Sequence, residues 1–417
     1  MRKLLNTFVL LLLTSMVMGQ EQEKAFKIEL HGFVGVNAYY DTRQSVIPRN
    51  GNIYLWPKRP QYDKNGEDIN DHGRFDIDAA FSRFGLHVSG PEVFGAKSFA
   101  MLEGDFLGKS GARDLNFRIR HAFIRLNWEK TSLLAGQTWH PVFLTENFPS
   151  TVNLNAGSPY HPLNRTPQVR LGYKLSNQLE VVAYLLSQND FADAGMGDAM
   201  ENSLVPEVDA QIKYKTESGL FAAFTVGYKT LKPNLTDQGY KTTSQVESFH
   251  MSASFKKQFS KFTFKTEGLY GGNMTNLVMM GGVARKAKSD NPLDMADYVA
   301  LKSVSVWTDI HTNSKKVQPG FMFGYSQNLG ASEEAEIIPA YSLGADIGHV
   351  FAISPRVKVY ASPKIWIGVE WLHTVAAYGG KRDGAGNDLA TYDSKGKPTN
   401  LFSVTNNRFI TSLRYTF

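Results

Sequence analysis

The chain has 417 residues, 42% of them hydrophobic, 20% charged and 12% aromatic, with 36 Gly, no Cys and a formal net charge of +6. The missing Cys excludes disulfide frameworks, thiolate metal sites and cysteine nucleophiles. A mean hydropathy of −0.28 excludes a bundle of membrane-spanning helices, each of which needs about 20 nearly uncharged residues.

At the start of the chain, Arg2 and Lys3 precede the apolar run 8–13, and Val17 and Gly19 are small enough for a cleavage site. This reads as a secretory signal peptide over 1–19, with residues 20–417 as one exported domain. No Cys follows, so no lipid anchor is expected. Without Arg2 and Lys3 there are 43 basic and 39 acidic side chains, too even a balance for a nucleic-acid surface.

Beyond the leader, segments of alternating polarity recur. In the first, Ile28, Leu30, Val34, Val36, Ala38 and Tyr40 share one face, while Glu29, His31, Gly35 and Asn37 take the other. In the last, Phe409, Thr411, Leu413, Tyr415 and Phe417 alternate with Arg408, Ser412, Arg414 and Thr416. In a soluble sandwich the apolar row points to a core; in an outer-membrane barrel it faces lipid and the polar row faces a watery lumen. Three features favour the barrel. The chain ends on Phe417 after period-2 hydrophobes, which resembles the insertion signal read by the barrel-assembly machinery. Long polar segments (41–73, 140–166, 188–206, 229–244, 271–297, 328–345, 379–400) alternate with short turns, as extracellular loops alternate with periplasmic turns. Trp128, Tyr173, Tyr228, Trp366 and Trp371 lie near strand ends, where interfacial girdles form.

The predicted strands are 26–40, 74–89, 95–107, 115–128, 131–139, 167–175, 179–187, 207–216, 219–229, 245–257, 261–271, 298–309, 316–327, 346–361, 364–378 and 401–417. The fold class is therefore all-β, a transmembrane antiparallel β-barrel of sixteen strands, with fourteen or eighteen as the other even counts. Two strands break phase. Arg118 and Arg120 share parity with Ala122, Ile124 and Leu126, and a similar slip falls at Ala79-Ala80, so a bulge is expected at each.

Four stretches occur in order: Ser82-Arg83-Phe84-Gly85-Leu86, Leu102-Glu103-Gly104-Asp105-Phe106, Arg118-Ile119-Arg120-His121-Ala122-Phe123 and Leu134-Ala135-Gly136-Gln137-Thr138-Trp139. Together they resemble the DcaP-like trimeric porins of the Gram-negative outer membrane. Ser354-Pro355-Arg356 and Gly368-Val369-Glu370-Trp371 look like the porins of Bacteroidetes in the same broad group. The resemblance implies a homotrimer of sixteen-stranded barrels, set among outer-membrane lipid and lipopolysaccharide. It further implies passive diffusion of small hydrophilic solutes, often anionic, with no cofactor. It also implies that 140–166, after the fifth strand, folds inward as a constriction loop. Two departures stand out. Some members carry an N-terminal coiled coil, for which little chain is left before the first strand, and His140 follows Trp139 where a small hydroxyl residue is more familiar.

The segment 111–175 holds eight basic against three acidic residues, more excess charge than the whole exported chain. Lumen-facing arginines would focus a positive potential and favour anions. The candidate pore-lining residues are Arg83, Glu103, Asp105, Arg118, Arg120, Arg125, Glu146, Arg165, Arg170 and Lys174. The plainer alternative is that these arginines pair with wall carboxylates and brace the barrel. No enzyme motif stands out: 104–110 is one residue short of a phosphate loop, and Glu103 stands where its first Gly belongs. The ten His show no helical zinc spacing, which leaves them as single lumen or loop side chains and predicts no metal. The acidic loops holding Asp190, Asp193, Asp198 and Glu201, and Asp383 to Asp393, fit weak Ca²⁺ binding or plain solvation. The alternative function is a non-conducting receptor or adhesin that binds ligands through its long loops.

Overall fold

The computed structural model describes residues 26–49, 51–108, 115–152, 155–288, 295–380 and 389–417. The leader 1–19, its cleavage point and Asp383 lie outside them. Alternating side chains give each strand two unlike faces, and a wall in which every backbone group is paired must close on itself. The strands are β1 Lys27–Asp41, β2 in two stretches Arg74–Asp78 and Arg83–Val93, β3 Ala96–Asp105, β4 Arg118–Asn127, β5 Thr131–Trp139 and β6 Arg165–Lys174. They continue with β7 Leu179–Leu186, β8 Glu207–Lys215, β9 Leu220–Leu231, β10 Val246–Gln258 and β11 Phe262–Gly272. The circuit is completed by β12 Tyr298–Thr312, β13 Val317–Gly330, β14 Ile347–Ser362, β15 Ile365–Tyr378 and β16 Phe402–Thr416. Each pairs antiparallel with the next, and β16 returns to β1 from Phe33↔Thr416 to Asp41↔Arg408. Sixteen strands thus form a closed barrel. Gly281–Lys286 and Ala335–Leu343 add a short extension that continues the sheet from β12 at its long-loop end.

The wall has the inverted polarity of a membrane barrel. Val34 and Val36 are 53% and 40% exposed on the outside, whereas Asn37 and Asp41, of opposite parity, are 0% and 2% exposed. On β8, Val208 and Ile212 point out while Glu207, Asp209 and Gln211 are buried inside. An apolar belt of this extent matches hydrocarbon rather than water. At one end the turns are tight. Phe94 (φ 51°) and Gly95 (φ 72°) join β2 to β3 with both residues in the left-handed region, as a two-residue hairpin requires. At the other end the long connections turn inward. Ile53, Tyr54, Leu55 and Trp56 from the first cluster with Phe143, Tyr160 and Leu163 from the third and with Trp307, Met322 and Ile347 of the wall.

Both predicted phase breaks are present. β2 is interrupted between Asp78 and Arg83, where the Gly35 N–H donates to Ser82 Oγ (3.1 Å) and Phe81 packs on Phe33. On β4 the ladder to β3 slips between Glu103↔His121 and Gly104↔Ile119, so both Arg120 and His121 turn inward. Tyr173, Tyr228 and Trp371 are exposed on the outside, as a girdle requires. Trp366 corrects the expectation: it is 7% exposed and packs inward on Val152 and under Arg414, because its position on β15 has lumen parity.

Candidate functional site

The connection 140–164 is held against inward-facing residues of the wall. Gln211 Nε2 donates to the Pro141 carbonyl (2.8 Å), and Asn147 Nδ2 donates to Ser254 Oγ (2.6 Å) and the Thr266 carbonyl (2.9 Å). Lys265 Nζ donates to Ser150 Oγ (2.8 Å), and the Val152 N–H donates to a Glu370 carboxylate oxygen. Ser305 Oγ donates to the Tyr160 carbonyl (2.8 Å), and the Tyr160 ring lies on Gly324, where any Cβ would stand 2.3 Å from it. Five strands (β8, β10, β11, β12 and β15) thus supply polar partners along the inside of the barrel. Burial pushes His161 of this loop down to about 3, so it stays neutral beside Glu267, 3.5 Å away. Asn147→Ala removes the three bonds that this buried Nδ2 makes, to Ser254 Oγ and the Phe255 and Thr266 carbonyls, and should cost about 1–3 kcal/mol. Faster cleavage within 140–152 by protease added from inside reconstituted vesicles would register it.

The predicted site residues divide into two groups. Around the mouth side of the bulge, Arg120 Nε donates to Glu103 Oε1 (2.6 Å) and its Nη1 to Asp105 Oδ2 (2.8 Å). Arg118 holds Asp105 (2.7 Å) and Asp190 (2.9 Å), while Arg165 holds Asp190 (2.9 Å) and stacks 3.8 Å over Trp139. Arg83 sits 3.6 Å from Glu103 and above the rings of Phe33 and Phe81. Arg118, Arg120 and Arg165 are therefore paired with carboxylates, as the bracing alternative has it. Arg125, Glu146, Arg170 and Lys174 instead line open space within the lumen.

Two of the four acidic residues of the loop read as possible calcium ligands, Asp190 and Asp193, are already paired. Three guanidiniums, Arg49 (2.7 Å), Arg118 and Arg165, occupy its oxygens, and Lys229 occupies Asp193 (2.8 Å), so neither carboxylate is open to a cation. Burial opposes ionisation of Asp190, yet Arg118, Arg165 and Arg49 outweigh it and hold the carboxyl below its ordinary value. A carboxyl lowered on folding contributes stability above its unfolded range, and that contribution is lost as pH falls through the lowered value. Protection of 187–206 from protease should persist from neutrality to about pH 4 and fall only below it. Asp190→Asn should remove the protection at neutral pH as well.

Two lumen cavities flank the loop and share Trp139, Phe143 and Thr145. The first, about 280 Å³, is lined by Arg125, Arg170 and Lys213 with Glu146; the second, about 490 Å³, by Arg83, Lys358 and Arg414. Arg414 lies 4.3 Å over Phe33 and 4.8 Å over Trp366, and Lys358 5.1 Å over Trp366. Among the described residues Arg125, Arg170, Lys358 and Arg414 make no ion pair with a carboxylate. Lys213, Lys358 and Arg414 were absent from the sequence candidates. The available signal was parity: Arg356 and Lys358 are two apart on β14, and Arg408 and Arg414 share one face of β16.

No protein-family model matches the sequence, and no curated protein does. The fold is similar to the outer membrane channel DcaP of Acinetobacter baumannii, at 16% identity and a TM-score of 0.66 over 96% of this chain and 99% of that one. It is also similar to an anion-selective porin from Comamonas acidovorans (9% identity, TM-score 0.53, 94% and 100% covered). Salmonella typhi OmpF in complex with daunomycin matches at 10% identity and a TM-score of 0.53, with 94% and 98% covered. The likeness is one of fold: this chain has the sixteen-stranded barrel of the outer-membrane porins.

Proposed function

We propose that the protein is an outer-membrane porin of the DcaP-like group, a water-filled channel for passive diffusion of small hydrophilic solutes, with anions preferred, assembled as a homotrimer. The observation that carries the selectivity is the lining of the two cavities: six basic side chains against the single carboxylate of Glu146. In a narrow aqueous path walled by protein, such an excess concentrates anions and repels cations. The aromatic faces under Arg414 and Lys358 hold those cations toward the lumen without neutralising them, so they remain available to a passing carboxylate or phosphate, whereas Arg83 is shared with Glu103. The connection 140–164, lying between the two cavities, is the element that narrows the path, and Arg125, Arg170 and Lys174 with Glu146 are the predicted residues that contact solute. The solved barrels of similar fold include a channel and an anion-selective porin, which supports the reading.

Planar bilayers test it. Purified protein should insert with conductance in groups of three steps, and a tenfold KCl gradient should give a reversal potential of the sign for chloride. A folded barrel that never conducts would favour the receptor reading, and a cation-selective reversal potential would overturn the anion preference.

A further inference from the structure

One row across four strands alternates functional side chains with glycines. Asp209 on β8 lies opposite Gly227 on β9, Gly227 opposite His250 on β10, and His250 opposite Gly271 on β11. A Cβ on Gly227 would stand 2.1 Å from Asp209 Oδ1 and 2.2 Å from the His250 ring. Glycine there is what lets a carboxylate and an imidazole meet over the sheet, with His250 Nε2 3.3 Å from Asp209 Oδ2. Glu207, two residues earlier on the same face, places Oε1 3.8 Å from His250 Nδ1 and 3.0 Å from Nε2 of His140. His140 is the first residue of the inner loop. One donor atom from each of the four residues lies within 4.8 Å of all the others, and all four residues are buried.

Two imidazoles and two carboxylates are the ligand chemistry of a first-row divalent metal, zinc foremost. Around a tetrahedral ion the donor atoms stand roughly 3.4 Å apart, so side-chain shifts of about an ångström complete the set. An independent observation points the same way: Asp209 Oδ1 is buried and accepts no hydrogen bond. An orphaned carboxylate oxygen is costly in a protein interior, and a cation supplies the missing partner. The nearby ammonium does not: Lys229 Nζ is taken up by Asp193 (2.8 Å) and Asn276 (2.9 Å). With both histidines neutral the four residues carry two negative charges, which a divalent ion balances. His140 Nε2 faces Glu207 Oε1 (3.0 Å); an ion at Nε2 takes the tautomer with the ring proton on Nδ1, at the expense only of the long 3.4 Å contact with the Val142 N–H. His140 also borders the 280 Å³ lumen cavity, which gives the ion its way in.

We propose that His140, Glu207, Asp209 and His250 bind one divalent transition-metal ion of the zinc type, clamping the root of the inner loop to the barrel wall. The full-length barrel, extracted in detergent, is stripped with chelator, incubated with ZnCl₂ and desalted, and its zinc is measured by inductively coupled plasma mass spectrometry. One zinc per chain is expected, together with a rise in unfolding temperature and, with Co²⁺ instead, a visible absorption band of a low-coordinate nitrogen–oxygen site. His250→Ala, Asp209→Ala and Gly227→Ala should each lower zinc affinity at least tenfold and abolish the thermal rise. His140→Gln leaves the wall intact and serves if the wall variants do not fold; it should change the Co²⁺ band. Wild-type barrel that retains no stoichiometric zinc at micromolar free metal overturns the proposal, leaving a buried ion-pair network. Equal zinc affinity in wild type and folded variants also overturns it.

Discussion

Arg120→Met is expected to destabilise the barrel by about 3–5 kcal/mol, the cost of stranding buried carboxylates when their cation is removed. Arg120 is fully buried on the β4 bulge and bonds Glu103 and Asp105 at once, through different nitrogens. Without it, Glu103 keeps Arg83 at 3.6 Å and the more distant His31 and His121 (3.9 and 4.0 Å), and Asp105 keeps Arg118 and the Leu107 N–H. Methionine fills much of the aliphatic volume, so the loss reports charge rather than a cavity. Guanidinium unfolding of detergent-folded protein, followed by tryptophan fluorescence and by gel mobility of unheated samples, measures it. Adding Glu103→Gln and Asp105→Asn should recover at least half of the loss, since neutral amides tolerate the missing cation. A loss under about 1 kcal/mol for Arg120→Met would place it below the range of a broken buried pair and deny the arginine its bracing role. Anion preference should survive in this variant, because the pair-locked arginine contributes little net field.

The second expectation is the reverse, a large change in selectivity with little change in stability. Arg125 and Arg170 on one side of the inner loop, and Lys358 and Arg414 on the other, have no carboxylate partner among the described residues. Reversing Arg125 and Arg170 to Glu alters the lining of the first cavity by four charges without breaking an ion pair. At separations of about 7 Å in water, each unit charge contributes about 0.6 kcal/mol, and salt screens part of it. Roughly 1.5–2 kcal/mol in total is a tenfold or larger shift in the anion-to-cation permeability ratio. The reversal potential in a KCl gradient should therefore move toward, or past, zero. The Lys358→Glu and Arg414→Glu pair should act in the same direction through the second cavity. If reversal potentials stay at the wild-type value in both double variants, the solute path lies elsewhere.

The contrast between these two experiments rests on information of different range. The alternation of Ile28 to Tyr40 and of Phe409 to Phe417 is local, and lipid outside with water inside permits only one arrangement of such a wall. Strand positions and the two phase breaks were therefore legible residue by residue, and the strand number to within one even step. The long connection after β5 was legible as an inner loop only through resemblance, since nothing in 140–164 itself says which wall residues will receive Asn147 or Tyr160. Trp366 was misplaced because nearness to a strand end says less about a side chain than its parity does.

Charge partners were the least legible. Glu207 and Asp209, two apart on one strand, already share a face, but nothing local pairs them with His140, 67 residues before Glu207, or His250, 41 after Asp209. Asp190 is more than seventy residues from Arg118 and 141 from Arg49. Lys358 and Arg414 reach Arg83 only because β16 closes on β1 and β1 on β2. The sequence by itself determined an all-β barrel wall of about sixteen strands and its two faces, because backbone satisfaction and period-2 polarity are requirements each segment meets alone. Only the tertiary structure decided which arginines are neutralised and which face open lumen, because an ion pair depends on the few ångströms between side chains brought together by closure.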